Sequence, residues 1–305
     1  MKLAPIVIFC YNRPHHLKKT LNSLKKNKLS KQSDVWFFSD GHKQEDKKNE
    51  KLVNSVRSII KNTNGFKKKK IIFHQGNIGL KKNILNGVSK VLKKYKKVIV
   101  LEDDIEVSVF FLKYMNDSLN KYQKKRKVWH ISGWNYDINF KNNMEEVFFI
   151  KNMNCWGWGT WQDRWRKIII KPDFFIKKFD TQMINKFDLS NSLNNWSQLL
   201  RNKNKKLKTW AIFWNATIFY NNGLCLNPLK SLTRNIGFDG SGTNSLKIYK
   251  KKKKLSNLKK FNYPDKLEEN LIIKKEIIQS FKKKNISKPF KKIKGKIISF
   301  LRKGT

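Results

Sequence analysis

The sequence predicts an α/β fold: an open, mostly parallel sheet flanked by helices, followed by a basic helical C-terminal extension. Three observations point there. Apolar runs of strand length recur about every thirty residues through the first hundred positions. Each run is followed by a stretch whose apolar residues fall at helical spacing. Each run also ends in a short polar or glycine-containing cluster. In open sheets of this kind, ligands bind outside the carboxyl ends of the strands.

The elements follow in order. "APIVIFC" is a buried strand, and Pro14 opens a helix with Leu17, Leu21 and Leu24 on one face. "DVWFFSD" is a second strand, followed by a polar helix carrying Leu52, Val56, Ile59 and Ile60. "KIIFHQG" is the third strand, with "NIGLKKNILNGVSKVLKKY" as the helix after it, and "KVIVLEDD" is the fourth. Beyond residue 128 the pattern loosens. "WHISGWN" reads as a strand and loop, "NCWGWGTWQDRW" as an aromatic-rich segment, and "TWAIFWNATIFYNNG" as a helix stopped by Gly223. "NPLKSLTRNIGFDGSGTN" has the Gly/Ser/Asn content of a mobile loop, and the last sixty residues are basic and helical in tendency. The domain reading is one α/β domain over residues 1–245 and a basic helical extension over 246–305.

The polar clusters at the strand ends should meet on one edge of the sheet. They are Asn12-Arg13, Asp40-Gly41, Gly76-Asn77-Ile78-Gly79 and Glu102-Asp103-Asp104. The last is conspicuous, because the chain has 68 Lys+Arg against 22 Asp+Glu, a formal net charge of +46. Adjacent carboxylates repel one another and persist where something positive resides. A hard divalent cation on oxygen ligands meets that need, and one or two carboxylates suffice if a diphosphate supplies the other ligands. A solvated acidic turn opening the following helix is the competing reading.

The charge itself points first to nucleic acid. Lysine far outnumbers arginine and is scattered rather than gathered in a stripe, whereas groove readers rely on arginine for bidentate base contacts. No specific nucleic-acid partner is expected. Cys10, Cys155 and Cys225 lie far apart without metal or disulfide spacing, as suits a reducing compartment. "MKLAPIVIFCYNRP" reads as a first strand rather than a leader, and no apolar run reaches the ~20 residues needed to span a bilayer. The expected location is cytoplasmic.

"PIVIFCYNRP…TLNSL", "FFSDG", "GNIGL", "VIVLEDDIEVSVFFLKYM", "ISGWN" and "CWGWGTW" together resemble, in order and spacing, the GT-A glycosyltransferases. The type is a bacterial sugar transferase of the broad family 2, with features similar to the N-acetylglucosaminyltransferase I family, over residues 4 to 245. The resemblance implies a GT-A, Rossmann-like sheet and a metal-dependent, inverting transfer of a sugar from a nucleotide-diphosphate donor, commonly UDP-linked. The implied acceptor is a hydroxyl of a surface glycan or a lipid-linked glycan. It further implies that Asp104 ligates Mn2+ or Mg2+, that Asp103 lies near the ribose and that Glu102 supports the turn. Asp40 would accept from the nucleotide base and Arg13 would lie near the diphosphate. Asn77, Gly79 and Lys81 or Lys82 would line the donor pocket.

The family's Trp-Asp-Asp-Trp segment, which carries the base, is replaced here by "TWAIFW", which has no acid. Asp163 and Asp239 are the acids left for base duty; Asp163 reads equally as a scaffold partner of Arg164 or Arg166, and Asp239 equally as a lid residue. Trp134 and Trp158, beside glycines, are the candidates for an acceptor-binding platform, against core packing as the alternative. In "KPFKKIKGKIISFLRKGT", Phe290, Ile293, Ile297 and Leu301 form an apolar stripe opposite lysines, suited to peripheral contact with an anionic membrane or to packing on the core. A nucleotidyltransferase would share the fold, but "CYNRPHHL" lacks its glycine-rich basic signature after strand one.

Overall fold

The computed structural model describes residues 2–44, 46–136, 138, 146–241 and 254–283. Its first half alternates as expected: β1 (Ile6–Cys10), α1 (Pro14–Lys25), β2 (Asp34–Ser39), α2 (Lys47–Lys61), β3 (Lys68–Phe73), α3 (Leu80–Tyr95) and β4 (Lys97–Glu102). The second half contributes β5 (Ile105–Val107), α4 (Phe111–Lys121), β6 (Val128–Ser132), β7 (Val147–Ile150) and β8 (Trp158–Trp161). The helices α5 (Gln162–Trp165), α6 (Pro172–Lys178), α7 (Thr181–Phe187), α8 (Asn195–Lys203) and α9 (Ala211–Tyr220) follow, then β9 (Leu224–Pro228) and β10 (Thr233–Asn235). A last helix, α10, covers residues 271–283.

Eight strands form one sheet in the order β3-β2-β1-β4-β8-β6-β9-β7, and β10 pairs with β5 in a two-stranded ribbon. The first four run parallel. β8 lies antiparallel to both β4 and β6, β9 is parallel to β6, and β7 is antiparallel to β9. The open, mostly parallel sheet is therefore the one expected, with its antiparallel strands confined to the second half.

β1, β2 and β4 are mostly apolar runs because both faces are covered, whereas β3 at the sheet edge is largely exposed. Ile6, Ile8 and Cys10 pack with Leu17, Leu21 and Leu24 of α1, Val56 and Ile60 of α2, and Met115 and Leu119 of α4. Val7 and Phe9 face the other way, onto Ile84, Val88 and Val91 of α3 and the indoles of Trp158, Trp165 and Trp214. Truncating one buried leucine such as Leu21 to alanine should cost about 2–5 kcal/mol. A separate aromatic cluster of Phe175, Phe179, Phe187 and Phe213 holds α6 to α9 together.

Two expectations change here. The aromatic-rich segment supplies a central strand, β8, and the segment expected as a mobile loop carries the end of β9 and all of β10. Ile273 and Ile277 of α10 pack on Phe148 and Ile150 of β7, so residues 271–283 share a core cluster with the sheet. The boundary at 245/246 and the amphipathic stripe from Phe290 to Leu301 lie outside the described residues. Among the described residues no helix is long and apolar enough to cross a membrane.

Candidate active site

β1 and β4 are parallel neighbours, so their carboxyl ends lie side by side, and the loop after β1 meets the turn after β4. Asp103 fixes that meeting. Its Oδ2 accepts from Tyr11 N at 3.0 Å, and its carbonyl accepts from Thr20 Oγ1 of α1 at 2.8 Å. Arg13 caps α1, with its carbonyl accepting from Leu17 N at 3.0 Å, and this places its guanidinium over the acid turn. Arg13 Nη1 donates to Asp104 Oδ2 at 2.7 Å.

The three acids are held close together with little water. Burial, then the charges of Asp104 and Asp103, push Glu102 up to about 8. Burial and the Asp104 charge push Asp103 up to about 7, against the Tyr11 amide. Burial also raises Asp104, opposed by the Arg13 guanidinium. A turn that disfavours its own ionisation is one that a bound cation would relieve.

The residues present fit such a cation in one particular way. Among the described residues no group of three or more His, Cys, Asp or Glu side chains forms a protein-only cage. Yet Asp104 Oδ1 is buried and has no hydrogen-bond partner. One free carboxylate oxygen beside a guanidinium suits Mn2+ or Mg2+ that takes its other ligands from a diphosphate and water.

The same edge of the sheet continues at β2 and β3. Asp40 is 4% exposed; Oδ1 accepts from Gly41 N at 3.0 Å and Ile78 N at 2.9 Å, and Oδ2 accepts from Gly79 N at 2.9 Å. Asn77 Nδ2 adds a bond to Gly41 O at 2.9 Å. A Cβ at position 41 would lie 2.5 Å from the Gly76 carbonyl carbon, so only glycine lets the two loops touch. Asp40 therefore acts here as a staple between loops, with most of its acceptor capacity spent on the backbone, which narrows the base-reading role expected for it. Gly79 takes φ +80° to start α3. Lys82 is exposed on the first turn of α3, while Lys81 lays its ammonium 3.9 Å over the Phe213 ring.

Two expected site residues stand elsewhere. Asp163 follows β8, which runs antiparallel to β4 with Trp161 opposite Lys97, so the chain returns to the amino end of β4 before reaching it. There Asp163 pairs with Arg164 Nη1 at 2.8 Å and with Arg126. It lies a full six-residue strand from Asp104, roughly 20 Å, and cannot serve as base there. Trp158 is 1% exposed and is stacked on His130 and Trp210, so it is core and not platform. Trp134 is half-buried and meets Trp156 edge to face at 4.6 Å, and Trp156 in turn meets Phe238 at 5.5 Å.

Of the turn that follows β10, sequence reasoning named Asp239, as base or lid, and missed Gly237 and the partner of Asp239, His16. Ile236 N donates to Asp104 O at 2.9 Å. At Gly237 any Cβ would fall inside contact distance of Asp104 Oδ2 and 2.6 Å from Arg13 Nη1. Asp239 Oδ2 then sits 3.0 Å from His16 Nε2, while Oδ1 accepts from Ser241 N and Oγ at 3.0 and 2.6 Å. Partial burial works to raise the Asp239 carboxyl, but the Ser241 bonds, His16 and Arg13 outweigh it and hold it at about 2. The missed signal was helical: His16 follows Arg13 by three residues, one turn along the same face.

Several solved structures are similar at low identity. One of S. aureus TarS gives a TM-score of 0.43 at 11% identity, covering 78% of this chain and 37% of that one. S. aureus TarS 1-349 in complex with UDP-GlcNAc gives 0.32 at 16%, covering 48% and 38%. The mannosyltransferase PcManGT from Pyrobaculum calidifontis, in complex with GDP-Man and Mn2+, gives 0.41 at 7%, covering 73% and 70%. This chain spans 37–60% of the TarS chains it matches. The model of the GNT-I family matches residues 1–167, more than half of the 305 residues and the whole stretch from β1 through the acid turn to α5. The chain belongs to the GNT-I family.

Proposed function

We propose that the chain is a glycosyltransferase that moves a sugar from a nucleoside-diphosphate sugar to an acceptor hydroxyl. The observation that carries this reading is the Asp104 carboxylate, with one oxygen on Arg13 and the other buried and unpartnered. Membership of the GNT-I family supports it. In the reaction the bond from the sugar C1 to the diphosphate oxygen breaks, and the diphosphate keeps the electron pair. A bond from C1 to the acceptor oxygen forms, and the acceptor hydroxyl loses its proton.

Asp104 would hold Mn2+ or Mg2+, which when bound supplies Lewis-acid neutralisation of the leaving diphosphate. The chain's own residues supply the remainder. Arg13, held beside Asp104 by a loop that the Asp103–Tyr11 bond fixes, would turn to the diphosphate and offset the charge that develops as it leaves. The Gly76–Gly79 loop, stapled by Asp40 and Asn77, walls the donor side. Trp134 and Trp156 offer indole surface to the C–H faces of an acceptor sugar. Asp239 could take the acceptor's proton only after release from His16 and Ser241, since a carboxylate held near 2 is a weak base. A UDP-linked donor, an inverting outcome, a surface-glycan or lipid-linked acceptor and contact with an anionic membrane belong to the same proposal.

The test is a panel of UDP-, GDP- and dTDP-sugars with and without Mn2+, read as release of the nucleoside diphosphate. One donor turned over in a cation-dependent way, and lost by ~10³-fold in Asp104→Ala, is the expected result. Equal turnover in Asp104→Ala would refute the reading.

A further inference from the structure

We propose that His16 is a positioning residue: with Asp239 it latches the 236–239 turn over the Asp104 carboxylate. The inference rests on the reading of Asp104 as the place where the donor's diphosphate is held.

The turn is built against the acid turn from both sides. β10 pairs with β5, with Asn235 opposite Ile105, so the chain leaves the ribbon directly beside Asp104. Ile236 N then bonds to Asp104 O at 2.9 Å, and Asn235 Oδ1 accepts from Gly237 N at 2.7 Å, which bends the backbone inward. At Gly237 the main chain lies so close to Asp104 Oδ2 and Arg13 Nη1 that no side chain fits between. Phe238 turns onto Trp156. Asp239 returns to α1 and meets His16.

This arrangement shuts both oxygens of Asp104. Oδ2 lies under Arg13 and Gly237, and Oδ1 is buried. A diphosphate reaches them only when the turn lifts and Arg13 swings from the carboxylate to the incoming phosphate. The contact at the outer end of the turn decides how readily that happens. His16 is a rigid anchor, 8% exposed on the first turn of a helix that packs on the sheet. Asp239 is the exposed partner, with 48% of its side chain open to water. A carboxylate only accepts, so His16 Nε2 carries the hydrogen and donates it, and a neutral imidazole is enough. A single hydrogen bond of this kind is strong enough to bias the turn and weak enough to open on binding.

Hydrogen exchange followed by mass spectrometry on the full chain, resolving the amides of Ile236 and Gly237, tests the latch. His16→Ala and Asp239→Asn should each speed their exchange about five- to tenfold. The double variant should go no further than either single one, and His16→Gln, whose amide can still donate, should stay near the wild type. The Ile99 amide, bonded to Pro5 O at 3.0 Å in the central sheet, should remain protected throughout and so reports an intact fold. UDP should bind more tightly in the presence of Mn2+ in the same variants, because a loosened latch favours the lifted turn that admits the diphosphate. Unchanged exchange at 236–237 in both single variants, or losses that add in the double variant, would overturn the latch, as would faster exchange with unchanged UDP affinity. Failure of the wild type to bind any nucleoside diphosphate would instead strike the glycosyltransferase reading, while the exchange data alone still decide whether His16 holds the turn.

Discussion

Two arginine–aspartate pairs stand at opposite ends of β4, and they are finished differently. At the amino end Arg164 is 3% exposed, and its guanidinium donates to the carbonyls of Val128, Tyr122, Gln123 and Lys125 at 2.9–3.2 Å and to Asp163. The other oxygen of Asp163 is met by Arg126. At the carboxyl end Arg13 meets one oxygen of Asp104 and the second has no partner, although two more acids adjoin it. An ion pair by itself therefore does not separate scaffold from site. Saturation does: where each acceptor is used the pair closes a fold, and where one is left buried and free the pair awaits a ligand.

Breaking the saturated pair should have the larger effect on stability. Arg164→Met removes a buried cation from four carbonyls and a carboxylate, and should lower the unfolding free energy by about 3–5 kcal/mol in denaturant titration. Donor affinity of the molecules still folded should be unchanged, because the site lies at the other end of the strand. The unsaturated pair should respond in the opposite sense. Arg13→Ala should reduce turnover ~10²-fold, about 2.7 kcal/mol of transition-state stabilisation, and cost less stability than Arg164→Met. Asp104, already raised by burial, can take up a proton when its partner is gone.

The smallest expected effect sharpens the same contrast through pH. Glu102 is raised from 4.5 to about 8 in the folded chain, first by burial and then by Asp104 and Asp103. The folded state thus holds a proton that the unfolded chain releases, so this group's penalty on stability is absent below about pH 4 and grows as pH rises toward 8. Glu102→Gln should unfold like the wild type near pH 4 and be more stable at pH 8, on the order of 1 kcal/mol, in the absence of divalent cations. Equal pH profiles for the two proteins would show that the acid turn carries no such tension.

β1, β2 and β4 were legible because each is a short, mostly apolar run buried on both faces, while the exposed edge strand β3 showed only its Ile71-Ile72-Phe73 end, and the edge all four share followed from parallel topology. The second half was not. β8 is "WGTW", whose glycine and Thr160 break the apolar run, and β10 hides in a stretch of turn-forming residues, held by pairing with β5 and by the Thr233 bond to Trp156 O. Direction was the costlier omission. Because β8 returns antiparallel along β4, Asp163 lies close in sequence to the site's tryptophans and far from Asp104 in space. Trp156 and Trp158 illustrate the same limit: with Gly157 at φ +78° between them, one indole faces the acid side and the other the core, a choice that composition does not encode.

Mn2+ binding in the presence of UDP, counted by electron paramagnetic resonance, tests the central claim most directly. The account predicts one tightly bound Mn2+ per chain in the wild type and in Asp163→Asn, and none in Asp104→Asn. Retention of that ion by Asp104→Asn, or its loss in Asp163→Asn with the fold intact, would contradict it.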